Sequence, residues 1–235
     1  MSRPRLLDLF CGAGGCSVGY HRAGFDVVGV DIAPQPNYPF EFWQADALEV
    51  LERTERWLDD GALWRFDAIH ASPPCQAHST IAKQQRQRRP GVYEHPELVG
   101  PVRELLKATG LPYVIENVMG APLVDAIQLC GSSFGLDLHR HRLFECSFPA
   151  MAMPCAHYWQ TPRFRTLDSR KPNALASVVG VHGHHNYAGE RDLREAAMGI
   201  DWMDPRELTQ AIPPAYTEHV GSYLLAEVNR SRVAV

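Results

Sequence analysis

Two adjacent prolines, Pro73 and Pro74, end an apolar run, Phe66-Asp67-Ala68-Ile69-His70-Ala71, and they limit the possible folds more than any other stretch. Proline fixes φ and removes an N–H donor, so a strand cannot continue through the pair. The run reads as a buried strand, and the chain must leave its sheet stiffly. Cys75 is the first reactive group on the resulting loop, Ser72-Pro73-Pro74-Cys75-Gln76. In an open α/β sheet, ligands bind beyond the carboxyl ends of the strands. A thiol there is either a small buried hydrophobe beside a turn or a nucleophile. The rest of the chain has to decide between them.

Residues 5–10 read as a first strand, followed by Gly12, Gly14 and Gly15 and by a helix from about Cys16 to a C-cap at Gly24. Residues 25–30 form a second strand with Asp31 at its end. A proline-rich loop, 34–39, comes next, and Asp46 precedes a helical stretch reaching about Leu58. A helix is expected over 96–109, closed by Gly110, and a strand over 112–115. Two short antiparallel strands are expected over 126–129 and 142–146, and helices over 191–198 and 214–229. This alternation predicts an α/β fold, a mostly parallel sheet with helices on both faces. Periodicity is lost over 147–187, where Pro, His and Arg accumulate. That stretch is expected to form a small irregular lobe on a main domain made of 1–146 and 188–235.

An apolar fraction of 45% in 235 residues suffices for a substantial core. No apolar run approaches the ~20 residues that span a bilayer. Met1 to Arg5 leads straight into a strand, so no signal peptide is expected and the cytoplasm is the default. The six cysteines show no CxxC pair and are read as reduced. Cys155-Ala156-His157, with Cys146 upstream, could supply part of a zinc site. Structural zinc normally takes four ligands from paired motifs, so no metal is expected.

The net charge of −4 argues against indiscriminate coating of nucleic acid but allows local basic surfaces. One such run holds Lys83, Arg86, Arg88 and Arg89 in a polar segment, 81–96, read as a mobile loop after the Cys75 site. Another holds Arg163, Arg165, Arg170 and Lys171 among aromatic residues. Each is either a solvated loop or a phosphate-binding surface.

Asp8-Leu9-Phe10-Cys11-Gly12-Ala13-Gly14-Gly15 joins a strand to a helix. Glycines there let backbone approach a ligand, and a helix N-terminus offers free N–H groups. Asp31 could accept hydrogen bonds from ribose hydroxyls. Asp46 is either an acceptor for an adenine amino group or a helix N-cap. A dinucleotide or S-adenosylmethionine would suit these positions, and the lack of a full G-x-G-x-x-G leans against the dinucleotide. Glu116 is either an exposed acid or a partly desolvated proton donor. In His139-Arg140-His141-Arg142, alternation on a strand would put Arg140 and Arg142 on one face, able to grip a carbonyl oxygen or a phosphate.

Asp8–Gly15, Ser72–Gln76, Glu116-Asn117-Val118 and Arg140-His141-Arg142 occur in the order and spacing of the cytosine-C5 DNA methyltransferases, which the chain closely resembles. Arg194-Glu195-Ala196-Ala197-Met198-Gly199 is similar to that family's late arginine-glutamate motif. Thr209-Gln210-Ala211-Ile212-Pro213-Pro214 is similar to its closing motif, with Gln210 in place of the usual Asn. The resemblance implies a Rossmann-like S-adenosylmethionine-dependent methyltransferase fold and methyl transfer to C5 of a cytosine flipped out of double-stranded DNA. It implies Cys75 as nucleophile, Glu116 on the N3 and amine edge, Arg142 with Arg140 at O2, and Asn117 orienting the Cys75 loop. The donor site would draw on Asp8, Phe10, Gly12, Gly14, Gly15, Asp31, Ile32, Asp46, Pro73, Gln210 and Ala211. Ile32 stands where a larger side chain often meets the adenine. Gln76, Ser79, Lys83, Arg86, Arg88, Arg89, Arg163 and Arg165 would contact nucleic acid. The lobe is shorter than the usual target-reading region, so a short target, loose specificity or a helper is expected. No membrane partner is expected; a monomer is, with a dimer left open, in a bacterial or phage-infected cytoplasm. Competing readings are a transfer-RNA cytosine methyltransferase on the same scaffold, a catalytically silent DNA-binding module, and a nicotinamide-dependent oxidoreductase, which leaves Pro-Pro-Cys without a role.

Overall fold

The computed structural model describes residues 2–52, 66–75, 97–157, 179, 181 and 191–233. Seven strands form one sheet: β1 (Arg5–Leu9), β2 (Asp26–Asp31), β3 (Glu41–Gln44), β4 (Ala68–Ala71), β5 (Tyr113–Asn117), β6 (Ile127–Leu129) and β7 (Arg142–Cys146). Their order is β3-β2-β1-β4-β5-β7-β6. The first five are parallel; β7 runs antiparallel to both β5 and β6. The helices are α1 (Gly15–Ala23), α2 (Val99–Ala108), α3 (Arg191–Met198), α4 (Pro205–Gln210) and α5 (Pro214–Val233). Residues 47–52 are also helical, and a 3₁₀ turn covers Gly131–Phe134.

The two-residue period of the strands sorts side chains between two apolar layers. Leu7, Leu9, Val28, Val30, Ile69 and Ile115 pack under Val102 and Leu106 of α2 and Val50 and Leu51 of the 47–52 helix. Leu6, Ala68, Val114 and Phe144 pack on the other face under Tyr20 of α1 and Tyr216, Val220 and Leu224 of α5. Helices therefore cover both faces, as the alternation required. α1 ends at Gly24, whose φ of 119° lets its N–H reach back to Tyr20 and His21 carbonyls.

Two elements depart from the expectation. β3 lies at the edge of the sheet, pairs among the described residues only with β2 and is largely solvated, so it shows no apolar run. α4 is opened by a capping box, in which Asp204 accepts from Arg206 and Glu207 N–H groups and the Glu207 carboxylate accepts from the Asp204 N–H. The first residues assigned to the small lobe also belong to the main body: Phe148 is buried beside Phe144 and Tyr216, and Met153 packs against the same cluster. The fold otherwise matches the α/β reading.

Strand order reverses between β1 and β4, which pair with each other while β2 and β5 extend the sheet on either side. Crevices open where parallel order reverses. The glycine turn follows β1 and the Pro-Pro-Cys loop follows β4, so both motifs border that crevice.

Candidate active site

Register aligns the predicted residues. Leu9 pairs with Val30 and with Ala71, and Ala71 pairs with Ile115. One residue further along, Phe10, Asp31, Ser72 and Glu116 stand in a row at one sheet edge. β7 runs the other way, with Leu143 opposite Asn117, so Arg142 reaches the same edge from its amino end. Glu116 and Arg142 share the face covered by α1 and α5, because Val114 and Phe144 belong to that layer.

Arg142 Nε lies 3.2 Å from Glu116 Oε1. The N–H is misaligned, and Oε1 is buried with no hydrogen-bond partner among the described residues. Burial pushes the Glu116 carboxyl up from its ordinary range, opposed by Arg142, the Ser72 hydroxyl and Arg140. Cys75, half-buried, has its thiol pushed up by burial and then by the Glu116 carboxylate, with Arg142 pulling the other way. Carboxyl and guanidinium therefore both act on the thiol, in opposite senses. Asn117 Nδ2 donates to Pro73 O at 2.9 Å, so this side chain grips the backbone of the Cys75 loop.

A buried chain supports Ser72. Tyr20 Oη lies 2.9 Å from His70 Nδ1, and His70 Nε2 lies 2.9 Å from Ser72 Oγ. Burial drives the His70 imidazole down to about 3, so it stays neutral. No motif signals this role, since His70 reads as one more residue of an apolar strand. Trp202 is equally hidden from motif reading; its Nε1 donates to Ala13 O at 2.9 Å and closes the glycine turn from outside.

Arg140 does not share a strand face with Arg142. β7 begins at Arg142, and Arg140 precedes it in irregular chain. Its Nη1 donates to Val181 O at 3.1 Å and its Nη2 to Thr209 O at 2.8 Å, while Tyr216 Oη donates to its carbonyl at 2.5 Å. Burial and Arg142 lower its guanidinium to about 9. Arg140 is thus a brace between α4, α5 and Val181, and the alternation reading fails because the segment is not extended sheet.

The glycine turn is similarly divided. Gly12 has φ +48° and open space where a Cβ would stand. A Cβ on Gly15 would meet Ile212 O at 2.4 Å, and one on Gly14 would meet Pro39 at 2.9 Å. Only Gly12 faces room for a ligand; the other two admit protein. Asp8 is fully buried beneath the turn, where it accepts a hydrogen bond from Ser17, and burial pushes its carboxyl up to about 7. Asp31 Oδ2 accepts from Gly12 N–H at 3.0 Å and Oδ1 from Ala33 N–H at 2.9 Å. Ile32 beside it is 70% exposed. Asp46 is an N-cap, its Oδ1 accepting from Leu48 N–H at 2.7 Å. Phe10 has φ 58° and turns the chain out of β1. Gln210 is exposed at the end of α4, and Ala211 caps that helix through its N–H to Glu207 O. Gln76, Ser79, Lys83, Arg86, Arg88, Arg89, Arg163 and Arg165 lie outside the described residues.

The profile of the C-5 cytosine-specific DNA methylase family matches residues 4–121, which hold the glycine turn, the Pro-Pro-Cys loop and Glu116-Asn117. The chain belongs to that family. The Type II methyltransferase M.AgeI of Thalassovita gelatinovora is 26% identical over 168 residues, covering 60% of this chain and 38% of that protein. M.XorII of Xanthomonas oryzae pv. oryzae is 31% identical over 128 residues, covering 51% of this chain and 29% of that protein. The chain thus spans well under half the length of these curated relatives. Among solved structures, a protein described as a DNA modification methyltransferase encoded within an E. coli prophage aligns over 96% of this chain and 99% of its own, with TM-score 0.61 and 15% identity. The S. pombe Dnmt2 methyltransferase aligns over 97% of this chain and 100% of its own, with TM-score 0.54 and 15% identity. These likenesses concern the fold, which is the Rossmann-like α/β sheet of the cytosine-C5 methylases. Among the described residues no helix is long and apolar enough to cross a membrane.

Proposed function

We propose that this methylase transfers a methyl group to C5 of a cytosine extruded from duplex DNA, with S-adenosylmethionine as donor. The observation that carries the reading is the buried Glu116 Oε1, which accepts no hydrogen bond among the described residues although Arg142 Nε lies 3.2 Å away, and whose charge acts on the Cys75 thiol. A buried polar atom without a partner calls for a ligand that supplies one. The exocyclic amine of cytosine supplies a donor of that kind, beside an N3 that accepts from a protonated carboxyl.

The residues present also fit a donor. Gly12 leaves room beside its backbone, Asp31 anchors the turn at the adjoining strand end, and Ile32 offers an exposed apolar surface to a purine ring. S-adenosylmethionine, when bound, supplies an electrophilic methyl group. Asp8 and Gly15 support this turn from beneath and beside it rather than touching the donor.

C5 of cytosine is a poor nucleophile. The Cys75 thiol releases its proton to solvent and the sulfur adds to C6, which saturates the C5–C6 double bond and moves its electron pair into a C4–C5 enamine with a nucleophilic C5. Glu116 in its protonated form donates to N3 as the ring gains electron density, and Arg142 holds O2. Asn117 keeps the Cys75 loop in place through Pro73 O. Once C5 carries the methyl group, loss of the C5 proton to a base breaks the C–S bond and frees Cys75. None of these groups reaches C6 inside a duplex, so the base must flip out, which costs a few kcal/mol. Gln76, Ser79, Lys83, Arg86, Arg88, Arg89, Arg163 and Arg165 are assigned to the bases and phosphates around it. Phosphate contacts of that number make affinity fall steeply with salt.

The test is transfer of label from tritiated donor to duplex DNA and to transfer RNA, with 5-fluorocytosine duplex as a covalent trap. Wild type is expected to label and trap the duplex. Cys75→Ser is expected to do neither while still binding donor. Undiminished transfer by Cys75→Ser, or labelling of transfer RNA alone, overturns the reading.

A further inference from the structure

A second constellation includes His141, the residue that precedes Arg142. The ligand atoms of Cys130, His141, Cys155 and His157 all fall within 4.8 Å of one another. Cys130 Sγ is 3.1 Å from His157 Nε2, and His141 Nε2 is 3.3 Å from Cys155 Sγ. Ligand atoms around a tetrahedral zinc with two sulfurs and two imidazoles are spaced about 3.5 Å apart, given ordinary Zn–S and Zn–N lengths. The four come from three separate segments: the residue after β6, the residue before β7, and an irregular piece in which Cys155 and His157 stand two apart, His157 in a turn. Converging two soft thiols and two imidazoles in this way selects zinc over a hard cation.

Neighbouring groups fit thiolates. Ser132 Oγ donates to Cys130 Sγ at 3.2 Å, and Gln128 Nε2 donates to Cys155 Sγ at 3.6 Å. Ala156 N–H donates to Ser132 Oγ at 3.1 Å, tying the two sulfur-bearing segments together. The His139 ring stacks on His157, with centroids 3.9 Å apart, and fixes its plane. Such outer contacts orient metal ligands. Cys146, which its place in the sequence suggests as a ligand, packs against the sheet core instead.

We infer that Cys130, His141, Cys155 and His157 bind one zinc ion as a closed structural site. Four protein ligands leave no open position, so the ion does no chemistry of its own. It joins the chain entering the lobe, after His157, to the residue between Arg140 and Arg142. Its consequence for catalysis, holding Arg142 against Glu116, rests on the methyl-transfer reading; the site itself does not.

The full chain, purified without chelator and with a non-coordinating reductant, is analysed for bound metal by mass spectrometry. One zinc per chain is expected in wild type and in Cys146→Ser, falling at least fivefold in Cys130→Ser and Cys155→Ser. Because those variants can fail to fold, the stripped wild type is also titrated with cobalt(II). Thiolate-to-cobalt charge-transfer absorption and intense tetrahedral bands are expected at one equivalent. Less than a tenth of an equivalent of zinc in wild type, a cobalt spectrum without thiolate bands, wild-type stoichiometry in Cys155→Ser, or a Cys130–Cys155 disulfide in metal-free protein overturns the proposal. A zinc-loaded protein that transfers no methyl group would reject the methyl-transfer reading and leave the metal site standing.

Discussion

Burial shifts the protonation of both side chains that the proposed chemistry uses. Desolvation raises the Cys75 thiol and the Glu116 carboxyl, and the Glu116 carboxylate raises the thiol further. The proposed chemistry needs Glu116 protonated and Cys75 ionised, so kcat/KM is expected to be bell-shaped in pH. Glutamine at 116 keeps the shape but cannot titrate or protonate N3. Glu116→Gln should therefore lower kcat roughly 10²- to 10⁴-fold, the range for losing a general acid. It should also abolish the alkaline fall, leaving a rate that climbs with pH to the thiol's plateau. A Gln variant that keeps the descending limb would remove Glu116 from the proton inventory. His70 acts at one remove, through Ser72, which is why a sequence in which it resembles a core residue could not reveal it.

At the scale of elements, the glycine turn makes a separable prediction. Gly15 opens α1 against the Ile212 backbone, and an added Cβ would stand 2.4 Å from that carbonyl. Backbone on both sides cannot yield cheaply, so Gly15→Ala should cost about 1–3 kcal/mol, as overpacking does. In a chain of this size each kcal/mol moves Tm by about 2–4 °C. A Cβ at Gly12 meets nothing within 4 Å, so Gly12→Ala should incur only the milder strain of its φ of +48°. It should weaken donor binding out of proportion to its loss of stability, measured by calorimetric titration. Equal effects of the two variants on Tm and on donor binding would defeat this division. The turn is legible in the sequence but its division is not, because what fills Gly14 and Gly15 arrives from residues 38–39 and 212. The same limit applies elsewhere. Strands buried on both faces, such as β1, β4 and β5, announce themselves as apolar runs, and the reactive residues followed from their carboxyl ends. β3 is a solvated edge strand and shows no such run. Asp204-Pro205-Arg206-Glu207 is a readable start signal for α4, but a capping box carries no apolar period and escapes a reading based on periodicity. Alternation misplaces Arg140 because it implies sheet where the chain is irregular.

For the molecule as a whole, two buried groups set opposite slopes in its response to pH. Asp8 and His70 are register partners on β1 and β4, both fully buried on the face under α1. Asp8 is raised from 3.8 to about 7, so between those values the folded state holds a proton that the unfolded chain has lost. Stability then falls as pH rises through that window. His70 is lowered from 6.5 to about 3, so the unfolded chain is the one holding the extra proton there, and stability rises with pH. A pKa difference of one between folded and unfolded chain is worth about 1.4 kcal/mol, giving opposed contributions of about 4 kcal/mol from Asp8 and about 5 kcal/mol from His70. Over their shared range, 3.8 to 6.5, the two nearly cancel. Asp8→Asn keeps an acceptor for Ser17 and removes one slope. Its unfolding free energy, relative to wild type, should gain about 1.4 kcal/mol for each pH unit climbed in that range. His70→Gln, which can still meet Tyr20 and Ser72, should lose a similar amount per pH unit. Urea unfolding at a series of pH values reads both, and each difference is taken against wild type, so contributions common to all three proteins drop out. Three parallel lines would mean that neither group titrates differently in the folded and unfolded chains, and the buried pair would then have no part in the pH response.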